Sequence, residues 1–318
     1  MYALPLRTRF RGLTVREGMV WQGAAGWGEF APFDDYDAAA AVPWWHAAVE
    51  AAETGWPEPV RDSVPVNCTV PAVDPGAARA IVTAGHGCRT AKVKVAEPGR
   101  PLSEDIARVE AVADALAEVA GAPGRVRVDA NGGWDVDQAL HAVRLLDRAA
   151  GGLEYVEQPC ASVEELATVR RRSDVPVAAD ESIRRADDPY RVRDLDAADI
   201  AVLKVAPLGG VRVCLQLADR LGLPVVVSSA LESSVGLTAG VALAAALPEL
   251  PFACGLGTAA LFEHDLTDQP LLPRDGQLAV GAVPPLPQRL SAWRADQQTT
   301  RRWHDRLEAV RALAGGSP

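Results

Sequence analysis

The chain has 318 residues, 48% hydrophobic and 23% charged, with a formal net charge of −10. That length suits two domains or one barrel with attachments, and the balance excludes a wholly disordered chain and a small disulfide-stapled scaffold. Lys and Arg total 32 against 42 acids, which leaves nothing general to attract nucleic acid or an anionic membrane.

The opening MYALPLRTRFRG carries arginines where a secretory segment needs an apolar run, so no export is expected and the cytoplasm is the expected location. The next residues, through GLTVREGMVWQGAAGWGEFAPF, are short strand-like pieces broken by turn glycines. An alanine-rich helix is expected from Tyr36 to Thr54. Beyond it, β-branched runs alternate with amphipathic stretches. Strands are expected at Val66–Val70, Thr90–Val95, Val126–Asp129, Leu153–Glu157, Val177–Asp180, Ile200–Lys204, Pro224–Ser228 and Phe252–Gly255. Several intervening helices announce their starts. Asp74-Pro75 places proline at a first helical position, and Asp135–Gln138 and Ser162–Glu165 read as capping boxes. Val235–Leu247, the most apolar stretch, falls short of the ~20 residues that span a bilayer. The tail offers a strand-like Gly276–Val280 and a charged helix over Ala292–Leu313.

Eight strands with seven helices between them predict an α/β fold, a (β/α)7β modified TIM barrel over residues 64–273. A small α+β capping domain is expected from residues 1–63 plus 274–318. An open doubly wound sheet would call for a glycine-rich phosphate loop after the first strand, and VNCTVPAVDPG contains none. The cysteines at 68, 88, 160, 214 and 254 form no CxxC pair, which reads as reduced thiols.

Among 32 basic residues just three are lysines: Lys92, Lys94 and Lys204. Arginine cannot lose its proton in a protein and lysine can, so lysine in an arginine-rich sequence points to work for an amine. Lys92 and Lys94 stand two apart and share one face of their strand. An edge strand with a solvated face explains them equally well, but a barrel strand has no such face. The next three strands end in Asp129 with Asn131, in Glu157, and in Asp180 with Glu181. Singly each acid reads as a cap or loop residue. Together, about one βα unit apart, they bring three carboxylates to one height, where they repel unless a cation joins them. All-oxygen ligation selects magnesium, with manganese as a substitute. Lys204 follows at the same height on the next strand and should face Lys94 across the barrel mouth. A metal beside a neutral lysine and an opposed ammonium suits proton abstraction next to a carboxylate.

The set Lys92-x-Lys94, Asp129-x-Asn131, Glu157-Gln-Pro, Asp180-Glu-Ser and Lys204 resembles the muconate-lactonising subgroup of the enolase superfamily, over essentially the whole chain. Within it the segments Ser228–Gly236 and Gly255–Thr258 are most similar to the o-succinylbenzoate synthase family of the actinobacterial type. The resemblance implies magnesium-dependent syn dehydration of a small carboxylate substrate in menaquinone synthesis, with Lys94 as base and then acid. It implies Lys204 as the opposed cation oriented by Glu181, metal ligands Asp129, Glu157 and Asp180, and substrate contacts from Lys92 and Asn131. A serine and a backbone amide near the substrate's succinyl carboxylate would be Ser228 and Gly255. N-succinylamino acid racemase is the nearest alternative activity, and a non-catalytic carboxylate-binding barrel the alternative from another class. Substrate selection is expected from the loop over Val20–Phe33, with Trp21 and Trp27 as candidate pocket residues. The sequence leaves oligomeric state open.

Overall fold

The computed structural model describes residues 1–122 and 124–315. Its first strands, β1 (Tyr2–Phe10), β2 (Leu13–Gln22) and β3 (Trp27–Phe30), form an antiparallel sheet. The hairpin between β1 and β2 turns on Arg11 and Gly12, both at positive φ. Helix α1 (Val42–Val49) covers the sheet and ends in a π turn at Glu50–Thr54, so the expected helix from Tyr36 is shorter and starts later. Pro43 at its beginning fixes that start, because proline suits a first turn and nothing deeper.

Seven parallel strands then follow in sequence order round a curled sheet: β5 (Cys68–Val70), β6 (Thr90–Lys94), β7 (Arg125–Asp129), β8 (Leu153–Glu157), β9 (Val177–Ala179), β10 (Ile200–Leu203) and β11 (Val225–Val227). The short β4 (Ser63–Pro65) precedes them. Helices α2 (Pro75–Thr83), α3 (Leu102–Ala120), α4 (Val136–Ala150), α5 (Val163–Arg172), the one-turn α6 (Glu181–Arg184), α7 (Arg191–Asp194) and α8 (Val205–Leu208), and then α9 (Val211–Leu221) and α10 (Ser234–Ala246) lie between and after the strands. Asp74 caps α2, and both expected capping boxes form, Asp135 with Gln138 on α4 and Ser162 with Glu165 on α5.

The expected eighth strand is reduced to two bridges. Cys254 pairs with Val66 and Gly255 with Ser228, which joins the first and last strands through one short segment. Arg127 reinforces the closure from inside. It is fully buried beside the Tyr155 and Phe252 rings and donates to the Ala253 carbonyl at 2.7 Å. Alternation along each strand divides the core: Val93, Val128, Val156 and Leu203 pack outward under the helices, whereas Tyr155, Ala178, Ile200, Val202 and Val226 fill the barrel's interior.

In the tail, the expected strand forms as β12 (Gln277–Ala279) and pairs with β4. A short helix α11 (Pro287–Ala292) comes first, and the charged helix expected from Ala292 starts later, as α12 (Gln297–Leu313), because Asp296 accepts from the Thr299 N–H and caps it. Trp303 of α12 is buried edge-on against Phe30, 6.0 Å between centroids. Among the described residues no helix is long and apolar enough to cross a membrane.

Glu29 of β3 joins the N-terminal sheet to the barrel. Its carboxylate accepts from the Ser233 N–H at 3.0 Å, the Gly236 N–H at 3.1 Å, the Ser233 hydroxyl and the Tyr2 hydroxyl, so it sits at the N-terminus of α10. Burial, against the pull of the Ser233 bonds, pushes its pKa from 4.5 up to about 7. A carboxyl whose folded pKa is raised binds its proton more tightly folded than unfolded, so its contribution is complete below about pH 4.5 and is lost as pH rises through about 7. Thermal melts should therefore show Tm falling between those values, and Glu29→Gln should flatten that slope. An unchanged slope in the variant would place the effect on other groups.

Candidate active site

The site lies at the carboxyl ends of the parallel strands, where strand register sets the height of each group. Lys94 on β6 is the direct neighbour of Asp129 on β7, and Asp129 of Glu157 on β8. Glu157 pairs with Ala178, so Asp180 stands one step higher on the same face of β9. Lys204 immediately follows β10. Asp129, Glu157 and Asp180 are each completely buried, and Lys92 and Lys204 nearly so.

Ammonium groups and carboxylates interleave. Lys92 Nζ donates to both oxygens of Glu157 at 2.8 Å and lies 3.1 Å from Asp129. Lys94 Nζ donates to Asp129 Oδ2 at 2.5 Å and Asn131 Oδ1 at 2.7 Å, while Lys204 Nζ donates to Asp180 Oδ2 at 2.5 Å. Lys92, Lys94 and Lys204 line one cavity, where Lys94 is paired with Asp129 of β7 and Lys204 with Asp180 just beyond β9.

The two lysines of β6 have different electrostatics. Burial works against the Lys92 charge, but Glu157 and Asp129 outweigh it and hold the pKa well above the ordinary lysine value. Burial also works against Lys94, and there the neighbouring Lys92 and Lys204 charges add to it, so Lys94 is lowered in spite of Asp129. Asp129 lies well below the ordinary carboxylate value, since the three lysines outweigh its burial. Burial first and the Asp129 charge second push Glu157 up to about 7, against the pull of Lys92.

Those carboxylates are hard oxygen donors of the type that holds a divalent cation. Among the described residues no three acids stand close enough to be a ready-made ligand set, because lysine nitrogens lie between them. One observation nevertheless fits a cation here: Glu181 Oε2, next along the chain from Asp180, is buried with no hydrogen-bond partner.

Other expectations require correction. Glu181 does not contact Lys204. Its Oε1 accepts from Asn131 Nδ2 at 3.0 Å and Arg184 Nη2 at 2.5 Å. The group that steadies Asp180 is Arg184, unnoticed in the sequence, whose Nε donates to Asp180 Oδ1 at 2.8 Å and whose Nη1 reaches the Tyr36 hydroxyl. Gly255 does not offer a free amide, because its N–H donates to Val227 O at 2.8 Å and closes the barrel. A Cβ there would lie 2.6 Å from Ser228 Oγ, which explains the glycine. Ser228 does line the site, with Ser229 and Thr258 beside it sharing a 2.7 Å hydroxyl bond.

The N-terminal sheet reaches the site through Phe10, Arg11 and Phe33, not through Trp21 and Trp27. Trp21 stacks on Trp45 at 5.3 Å, and Trp27 faces a different small cavity. Arg11 and Arg16 lie over the Phe33 ring at 4.5 and 4.3 Å. The cavity behind these residues is small, about 30 Å³. Thr69 also lines a larger cavity of about 780 Å³ beside α2. Two of its acids are engaged, Asp268 with Arg289 and Asp265 with Ser234, and no lysine lines it.

Comparison with known proteins places this architecture. Residues 76–287 match the model described as Enolase C-terminal domain-like, and residues 1–52 match Enolase N-terminal domain-like. The chain is 63% identical to an o-succinylbenzoate synthase from Thermobifida fusca over 98% of its own length and 95% of that protein. It is 54% identical to one from Mycolicibacterium smegmatis, covering 98% and 94%. Among solved structures it resembles muconate lactonizing enzyme from Pseudomonas fluorescens, with TM-score 0.77, 22% identity and coverage of 92% and 97%. It also resembles the L-Ala-D/L-Glu epimerase from Bacillus subtilis, with TM-score 0.73, 22% identity and coverage of 89% and 95%.

Proposed function

The chain belongs to the o-succinylbenzoate synthase family of enolase-like proteins, and from that premise we propose how its own residues carry out the family's reaction. The enzyme is a lyase that dehydrates 2-succinyl-6-hydroxy-2,4-cyclohexadiene-1-carboxylate to o-succinylbenzoate, a step of menaquinone biosynthesis. The observation that carries the residue assignment is that Lys94 and Lys204 line one cavity while each donates to a different member of a trio of fully buried carboxylates, Asp129 and Asp180 with Glu157.

Lys94 is the base. Its lowered pKa raises the fraction of neutral amine, and the amine takes the proton from the ring carbon that bears the carboxylate. The C–H electron pair moves into that carboxylate, and the Lys204 ammonium in the same cavity offsets the growing negative charge. The pair then returns to form the new ring double bond as the adjacent C–O bond breaks. Protonated Lys94 gives its proton to the departing oxygen on the same face, so one water leaves and the lysine is neutral again. Asp129, Glu157 and Asp180 would hold a divalent cation, magnesium first and manganese as substitute, which would supply positive charge to the substrate carboxylate. Lys92 keeps its proton and serves as a fixed charge beside Glu157. Asn131 accepts from the Lys94 amine together with Asp129, and Ser228 lines the same cavity as a substrate contact. All these groups lie within residues 64–273, which we assign as the barrel, with residues 1–63 and 274–318 as the cap. Five buried, unpaired cysteines suit the reducing cytoplasm.

The test is a dehydration assay with the cyclohexadiene substrate beside N-succinyl amino acids. Activity should disappear on chelation with EDTA and return on adding magnesium, and kcat/KM should be larger for dehydration than for racemisation. Turnover that survives complete chelation would contradict the role given to the three carboxylates.

A further inference from the structure

The main chain beyond Lys94 is held by two buried side chains from α3. Arg108 Nη1 donates to the backbone carbonyl of Lys94 at 3.0 Å, and its Nε donates to the Val73 carbonyl at 2.6 Å. Asp105 Oδ2 accepts from the Ala96 N–H at 2.9 Å, at a residue whose φ of 60° is unfavourable for any side chain. The two side chains pair at 2.7 Å with exposures of 1% and 2%. They stand three residues apart on α3 and so project from one face toward the end of β6.

Burying both charges is costly, and an apolar pair of similar volume would pack α3 on the sheet as Val109, Val112 and Leu116 already do. What the polar pair adds is direction. Its hydrogen bonds outside itself fall on Lys94, Ala96 and Val73, clamping the end of β6 to the loop after β5. The same end of β6 carries the amine that must meet the ring proton, and a small displacement of a catalytic group is expensive in rate. We infer that Asp105 and Arg108 are positioning residues for Lys94, fixing the height at which its amine enters the cavity. This rests on Lys94 being the base.

The experiment uses the full chain at saturating magnesium, well below its melting temperature, with Arg108→Met and the double variant Asp105→Asn/Arg108→Met. Arg108→Met should lower kcat about 10- to 100-fold with KM within about twofold, and it should lower Tm because Asp105 is left as an unpaired buried charge. The double variant removes that charge and should regain much of the lost Tm while kcat stays low. A purely structural pair predicts that kcat and Tm recover together, and that result would overturn the inference, as would either variant keeping kcat within twofold of wild type. If Arg108→Met does not fold, the double variant carries the test. Failure of the base assignment is separately visible: Lys94→Arg would then retain turnover, whereas an inactive Lys94→Arg beside a fully active Arg108→Met sinks the positioning role alone.

Discussion

Lys94→Arg is expected to lower kcat for dehydration roughly 10²- to 10⁴-fold, the range for loss of a general acid–base group. The charge stays and the proton chemistry goes. A guanidinium still donates to Asp129 and Asn131, the two acceptors that now hold the amine, but it does not deprotonate in a protein. Product binding, followed by direct titration, should survive better than turnover, which separates lost chemistry from lost fit. The cavity of about 30 Å³ has little spare room for the larger side chain, so Lys94→Met provides a smaller second variant. It should be equally inactive. Wild-type turnover in Lys94→Arg would end the proposed mechanism.

Glu157→Gln is expected to lower kcat/KM by on the order of a hundredfold or more and to raise the magnesium concentration needed for half-maximal activity. The exchange keeps volume and removes one charge. In the wild type both Glu157 oxygens accept from Lys92, and Asp129 stands directly opposite across β7 and β8. With glutamine, two carboxylates rather than three remain for the divalent cation, and the Lys92 ammonium loses its nearer counter-charge. Activity titrated with magnesium measures the first effect. An unchanged magnesium midpoint would show that Glu157 serves Lys92 alone.

Arg184 and Asp105 show why part of this site escapes a reading of the chain. Each sits three or four residues from a side chain of opposite charge, the spacing of an ordinary exposed helix pair. Exposure in Arg184 and Arg108 is nevertheless about 1%, because the Tyr36 hydroxyl covers one and the loop after β5 the other. Tyr36 lies 148 residues from Arg184 along the chain, and no local pattern links them. Gly255 misled for a related reason. Its amide was free for a ligand until closure of the barrel directed it to Val227.

Local chemistry wrote several features into the chain directly. Proline after Asp74 and the two capping boxes mark helix starts, since the groups they satisfy lie within one turn. The two-residue step from Lys92 to Lys94 puts both amines on one face of any strand. The βα-unit spacing of Asp129, Glu157 and Asp180 brings them to neighbouring strand ends once the strands pair in parallel, Asp129 level with Glu157 and Asp180 one step higher. Tertiary structure decided everything that depends on distant parts meeting. It made Lys92 a fixed charge and Lys94 the amine with the lowered pKa, because the charges facing each amine differ over a single two-residue step. It chose Phe10, Arg11 and Phe33 over the tryptophans as the cavity's outer wall, because the β1–β2 hairpin and the loop after β3 turn toward the strand ends while Trp21 stacks on Trp45. It also reduced the eighth strand to two bridges, since a ring needs only enough pairing there to join its first and last members.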